Sequence, residues 1–278
     1  MASNLETPPP DHPTFLLSYP SPGVLVVTIN RPKQMNSLPS AAHWEAQSLF
    51  TWYDHEPSLL VAIITGSGLK TFCSGQDLIE QNQFKINPPP MQMRRHPPAG
   101  FCGISRRTGK KPIIAAVNGF ALGGGMEIVL NCDMTVASPT SSFSLPEVNV
   151  GLYAAAGGLP RLVHTLGMPL ASEIALTGRR LTATEALSFH LINRVSSSPE
   201  SLLDETIDLA KKIAAQSPDA VIVTRAGLRE AWETASVENA TKRVSERYDK
   251  GIFEGENVEI GLKAFKDKSK PVWKASKL

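Results

Sequence analysis

Two carboxylates stand where acid–base chemistry could be organised. Glu127 ends the run Gly123-Gly124-Gly125-Met126-Glu127, and Glu147 follows Pro146, twenty residues further on (147 − 127 = 20). Glutamates that face one pocket do general acid and base work when their surroundings set their pKa values apart. The glycines ahead of Glu127 let backbone come close to a ligand, and the helix formers after them aim free N–H groups at that loop. Such a place stabilises a developing negative oxygen. A second loop of this kind, Phe72-Cys73-Ser74-Gly75-Gln76-Asp77-Leu78, lies upstream. Taken singly, each feature also has a plainer reading. The glycines could pack a helix on a sheet, Glu127 could be an exposed first-turn glutamate, Glu147 could sit on the surface at a strand end, and Ser74 or Asp77 could cap a helix. Nucleotide binding is excluded at the glycines: no Gly-Lys-Ser/Thr follows, and Ile128 stands where a dinucleotide fingerprint needs its third glycine.

The elements that must position these residues are legible as patterns. β-Branched and apolar runs over 24–29, 61–65, 113–117 and near 134–137 predict strands, closed by turn residues such as Asn30-Arg31-Pro32 and Gly66-Ser67-Gly68. Helical spacing covers 40–53 and then, late in the chain, 171–177, 183–190, 201–216, 218–235, 236–250 and about 256–268. Residues 81–100, broken by Pro88-Pro89-Pro90 and Pro97-Pro98, predict a long functional or disordered connection. Strands alternating with helices, then helices alone, imply an α/β fold with a helical C-terminal region. The expected division is a disordered lead-in over 1–13, a core over 14–200, a helical region over 201–270 and a tail over 271–278.

Composition narrows the function. The chain has 278 residues, 42% of them hydrophobic and 19% charged, enough for one large core. A net charge of +2 and scattered lysines and arginines give no argument for nucleic acid or an anionic membrane surface as partner. No apolar run approaches the roughly 18 residues that span a bilayer. Cys73, Cys102 and Cys132 are odd in number and match no metal spacing, so they read as packing thiols with no metal site. The proline-rich residues 1–13 lack a secretory pattern. The ending Ser276-Lys277-Leu278, with Lys274 as basic flank, reads as a peroxisomal address and predicts an import receptor as partner.

These motifs together resemble the crotonase superfamily. Asn30-Arg31-Pro32 with Asn36-Ser37-Leu38 looks like its first-strand motif, and Phe72 to Leu78 like its first oxyanion loop. Ala115 to Glu127 resembles its signature, and Cys132-Asp133, Phe143, Pro146-Glu147 and Gly157-Gly158 continue it in register over about residues 16–270. The resemblance implies a spiral of ββα units with a helical C-terminal region, assembled as a homotrimer or homohexamer. It implies an enoyl-CoA hydratase: the thioester oxygen would lie between the backbone N–H groups of Gln76 and Gly124, with Glu147 as the acid at C2 and Glu127 activating water. It carries no cofactor, since coenzyme A belongs to the acyl-CoA substrate. Lys33, Leu38, Ser74, Asp77, Leu78 and Ile79 would line the substrate and CoA site, with Tyr153 near the acyl group and Phe265 closing it. Arg94-Arg95 and Arg106-Arg107 read as solvated charges or contacts to CoA phosphates.

The chain also departs from that pattern. Straight-chain hydratases usually carry alanine where Gln76 stands and Pro-Gly where Ala154-Ala155 stand. A polar or branched acyl group is the expectation that follows. The wording further resembles fungal peroxisomal hydratases of secondary metabolism, including siderophore-pathway enzymes acting on mevalonyl-CoA, with fatty-acid β-oxidation as the rival substrate class. A double-bond isomerase is the nearest chemical alternative, and an RNA-binding homologue the non-enzymatic one.

Overall fold

The computed structural model describes residues 5–84 and 86–278. In chain order the core runs β1 (Phe15–Ser21), β2 (Val24–Ile29), α1 (Ser40–His55), β3 (Val61–Gly66), β4 (Thr71–Cys73), α2 (Leu78–Gln83), β5 (Ile113–Val117), β6 (Phe120–Leu122), α3 (Gly124–Asn131), β7 (Met134–Ala137) and β8 (Ser142–Ser144). It continues through α4 (Gly158–Leu166), α5 (Met168–Thr177), β9 (Leu181–Thr182), α6 (Ala183–Ser188) and β10 (Arg194–Val195). Four helices follow: α7 (Leu202–Ala214), α8 (Pro218–Thr234), α9 (Val237–Phe253) and α10 (Glu256–Lys266).

Two sheets carry the core. The larger has the order β1-β2-β3-β5-β7-β10, antiparallel only between β1 and β2. Its inner strands are buried on both faces, which is why they read as unbroken apolar runs. Leu25, Val27, Ile29, Ala62, Ile64, Ala115 and Val117 point toward α1 and α3, while Val24, Val26, Val61, Ile63, Ile114 and Ala116 point toward Leu202, Leu209 and Ala210 of α7. The smaller sheet, β4-β6-β8-β9, has its first three strands parallel. Its strands are two or three residues long, so the sequence pattern did not predict them.

The ends of the elements are tied by buried polar contacts. The expected lead-in is anchored where it is described: the Glu6 and Thr7 amides donate to Glu56 at 3.1 and 3.0 Å, just past α1. Residues 1–4 of it lie outside the described residues. Within 81–100 the structure has the end of α2 and a short turn of 3₁₀-helix at Met91–Arg94. Arg225 and Arg229 of α8 grip Asp133 at 3.0 and 2.9 Å, and so fasten the C-terminal helices to the end of α3. Cys73 and Cys102 are fully buried, and burial pushes the Cys73 thiol up to about 12 and that of Cys102 well above its ordinary value.

Candidate active site

The three parallel strands of the small sheet end side by side. Cys73 pairs with Ala121, and Leu122 with Ser144, so the segments after β4, β6 and β8 leave one edge of the sheet together. Those segments carry Gln76, Gly123-Gly124 and Glu147. The carboxyl ends of parallel strands are where α/β folds build their sites. The Leu38 amide donates to the Gly75 carbonyl at 2.9 Å, and the Asp77 amide to the Leu38 carbonyl at 2.9 Å, which pins the Gln76 loop. An ideal Cβ on Gly75 would lie 3.3 Å from the Gly124 amide nitrogen. Gly123 turns into α3 at φ +56°, in the region that favours glycine. Gly125 lies so close to β4 that a Cβ there would meet the Cys73 carbonyl oxygen. Among the described residues, the Gln76 and Gly124 amides have no acceptor in the protein. Two neighbouring N–H groups are thus free for a ligand oxygen.

Both carboxylates sit beside them. All of α3 is buried, and Glu127 is only 3% exposed. Its Oε1 accepts the Ala156 and Gly158 amides at 2.9 and 2.8 Å, which leaves Oε2 for a substrate or water. Glu147 stands in the 3₁₀ turn Pro146–Val150, with its Oε1 3.2 Å from where a Cβ on Gly123 would be. Glu147 Oε2 is buried without a partner among the described residues. Burial raises Glu127 to about 7, against the two amides that favour its charge, and the Glu147 charge raises it further. Burial raises Glu147 as well. Carboxylates that take up protons near neutrality are suited to proton transfer.

The model of the enoyl-CoA hydratase/isomerase family matches residues 20–276. The chain belongs to that family. It is 46% identical over 276 residues to a mevalonyl-coenzyme A hydratase of Beauveria bassiana, covering 98% of each chain. It is 45% identical over 270 residues to one of Aspergillus fumigatus, covering 96% of this chain and 98% of that one. Its structure matches an enoyl-CoA hydratase from Bacillus anthracis with a TM-score of 0.83 at 31% identity, over 94% of this chain and 99% of that one. The α/β crotonase fold is therefore that of this enoyl-CoA hydratase/isomerase family member, and hydratase chemistry is what the family and these relatives support.

Beyond the glutamates and the two amides, the residues expected at this family site divide. Gln76 and Leu78 line an open cleft beside it, together with Ser40, His43, Phe84 and Leu152. Leu38 is buried and acts through its backbone. Ser74 donates its amide to the Met35 carbonyl at 3.2 Å, and Asp77 caps α2 while pairing with Arg31 at 2.9 Å. Lys33 and Ile79 are exposed at the outer face of their turns. One expectation, that for Arg107, needs correcting. Tyr153 is exposed, on the same loop as the cleft residues Leu152 and Ala155. Phe265 is exposed on α10, which packs on α9. Arg107 is neither solvated nor free for phosphate, because Asp54 holds its buried guanidinium. Arg95 and Arg106 do reach the cleft; the Arg94 side chain lies outside the described residues. His43 was missed, since on sequence it is one member of a helix whose buried positions include Ala42, Ala46, Leu49, Phe50 and Tyr53.

The raised Glu127 makes stability depend on pH in this enzyme. Its folded pKa of about 7 lies above the ordinary 4.5, so the native state holds a proton that the unfolded chain has lost. The contribution is full below pH 4.5 and is lost as pH rises through 7, by about 3 kcal/mol in all. Glu127→Gln keeps an acceptor oxygen for Ala156 and Gly158 but cannot ionise. Thermal melts should therefore fall more between pH 5 and pH 8 for the wild type than for this variant. Parallel curves would contradict the assignment.

Proposed function

We propose that this chain reversibly adds water across the 2,3 double bond of a branched, hydroxylated enoyl-CoA, the pair mevalonyl-CoA and anhydromevalonyl-CoA being the substrate class. The observation that carries the reaction is the convergence of a buried and a half-buried carboxylate with two amides that have no acceptor among the described residues. The amides of Gln76 and Gly124 bind the thioester oxygen. Water attacks C3 while Glu127 takes its proton, and the π electrons move onto the thioester oxygen, where the two N–H groups stabilise the enolate. Glu147 then gives a proton to C2 and the carbonyl re-forms. Dehydration runs the same steps backward. Every proton is moved by water and the two carboxylates, and coenzyme A enters as part of the substrate.

The two mevalonyl-coenzyme A hydratases support the acyl group, as does a polar Gln76 at the cleft. The same resemblance supports a siderophore-pathway role. It also supports a homotrimer or homohexamer, whose contacts would cover exposed Leu228, Phe253, Leu262 and Phe265. Import by the peroxisomal receptor is part of the proposal and rests on Ser276-Lys277-Leu278.

The test is kcat/KM on crotonyl-CoA, a long straight-chain enoyl-CoA and 5-hydroxy-3-methylpent-2-enoyl-CoA. The last should be preferred at least about tenfold, the scale on which pocket contacts discriminate. Preference for the long chain would instead favour fatty-acid β-oxidation. A product of unchanged mass, with the double bond moved and no water added, would favour isomerisation.

A further inference from the structure

A buried histidine decides which way the Gln76 side chain faces. His43 of α1 is 1% exposed, with Phe101 tilted against it at 4.4 Å between ring centroids and His96 edge-on at 4.8 Å. The Cys102 backbone N–H points at His43 Nδ1 at 3.1 Å, so that nitrogen must be the acceptor. Burial pulls the ring down to about 3, and the His96 charge adds to this, so the imidazole is neutral. Its single proton is therefore on Nε2, which lies 2.8 Å from Gln76 Oε1 and donates to it.

With its oxygen held by His43, Gln76 turns its –NH₂ group the other way. One of those hydrogens has a long contact to Glu80 Oε2 at 3.5 Å, and that oxygen is already claimed by the Ser40 amide and hydroxyl at 2.7 and 3.0 Å. The other is available to the cleft that Gln76, Ser40 and His43 line. A glutamine whose amide could flip would offer a donor or an acceptor with equal ease. Here only a donor is offered.

We propose that His43 is a positioning residue that locks Gln76 as a hydrogen-bond donor to a hydroxyl on the acyl chain beyond C3, which makes Gln76 the selector for hydroxylated acyl groups. This rests on the hydratase reading above, in which the Gln76 backbone N–H binds the thioester oxygen. From that N–H, a glutamine side chain spans about the length between a thioester oxygen and a hydroxyl two carbons past C3. One residue can thus hold both ends of the acyl group. Apolar Leu78, Phe84, Val150 and Leu152 share the cleft with Gln81, Asn82, Arg95, His96 and Arg106, and of these polar groups Gln76 is the one whose own backbone N–H faces the thioester oxygen. Selection then works by leaving the Gln76 amide unsatisfied once a plain chain covers it.

The experiment compares kcat/KM for 5-hydroxy-3-methylpent-2-enoyl-CoA with that for its 5-deoxy analogue. In Gln76→Ala the ratio should fall about 10- to 100-fold from the wild-type value. His43→Leu removes the Nε2 donor and frees the amide to flip, and the ratio should fall about 3- to 10-fold, mainly through KM of the hydroxylated substrate. His43→Gln, whose amide can reach the same place and donate, should restore it to within about twofold. Gln76→Met keeps the side-chain volume and serves if the alanine variant unfolds. A ratio unchanged in Gln76→Ala or Gln76→Met overturns the inference alone. So does a His43→Leu variant that loses both activities in equal proportion. A wild-type ratio near one overturns the hydroxylated-substrate reading, and this inference with it.

Discussion

Glu147→Gln is expected to lower the turnover number of hydration about 10²- to 10⁴-fold, the range over which a positioned proton donor acts. The loss should appear in kcat and kcat/KM together, because the proton moves only in the reaction step. Among the described residues Glu147 Oε2 has no partner, so the variant should melt near the wild type. Glu127→Gln should lose a comparable factor. The double variant should lose little more than either single one, since two groups serving one water act as a unit. Loss of the conjugated thioester absorbance measures the rate directly. Hydration within tenfold of wild type in Glu147→Gln would remove that residue from the mechanism.

The largest stability effect is expected far from the chemistry. Asp54, at the end of α1, pairs with the buried Arg107 and also accepts the Lys111 amide at 3.0 Å. Burial lowers the Arg107 pKa and the Asp54 charge raises it, so the cation is held inside by its partner. Among the described residues, Asp54→Ala leaves that buried guanidinium with the Lys111 carbonyl at 3.1 Å and the face of the Tyr53 ring, and should cost about 3–5 kcal/mol. Denaturant unfolding would show it as a lower midpoint at unchanged slope. Asp54→Asn, which keeps a carbonyl acceptor, should cost less. A loss below about 1 kcal/mol in Asp54→Ala would mean that water or rearrangement satisfies Arg107.

Some of this molecule can be read without coordinates, and the physical reason differs by element. β2, β3 and β5 are buried on both faces, so unbroken runs such as Val-Leu-Val-Val betray them. β4, β6 and β8 are three residues each, too short to show any period, yet they alone bring Gln76, Gly124 and Glu147 to one edge. The glycine run and Glu127 were legible as a local motif, whereas convergence with Glu147 was legible only through resemblance. Arg107 misled because its partner is 53 positions away, and an arginine pair in sequence looks the same whether solvated or buried. Phe265 was placed by resemblance alone, and it stands exposed on α10. His43 carries no motif at all, and its meaning comes entirely from what its two nitrogens face.

The sealed cysteines have a consequence for durability. Peroxides attack thiolates rather than thiols, and Cys73 and Cys102 are held protonated behind β4 and the turn at Phe101–Gly103. Cys73 ends the very strand that leads to the Gln76 loop. Were it a sulfenic acid, a fully buried thiol would have to house an added polar oxygen, beside a strand already packed so tightly on Gly125 that a Cβ there would meet the Cys73 carbonyl oxygen. Oxidant exposure therefore spares the floor of the site for as long as the fold stays closed, and enzyme ageing becomes a matter of how often the sheet opens.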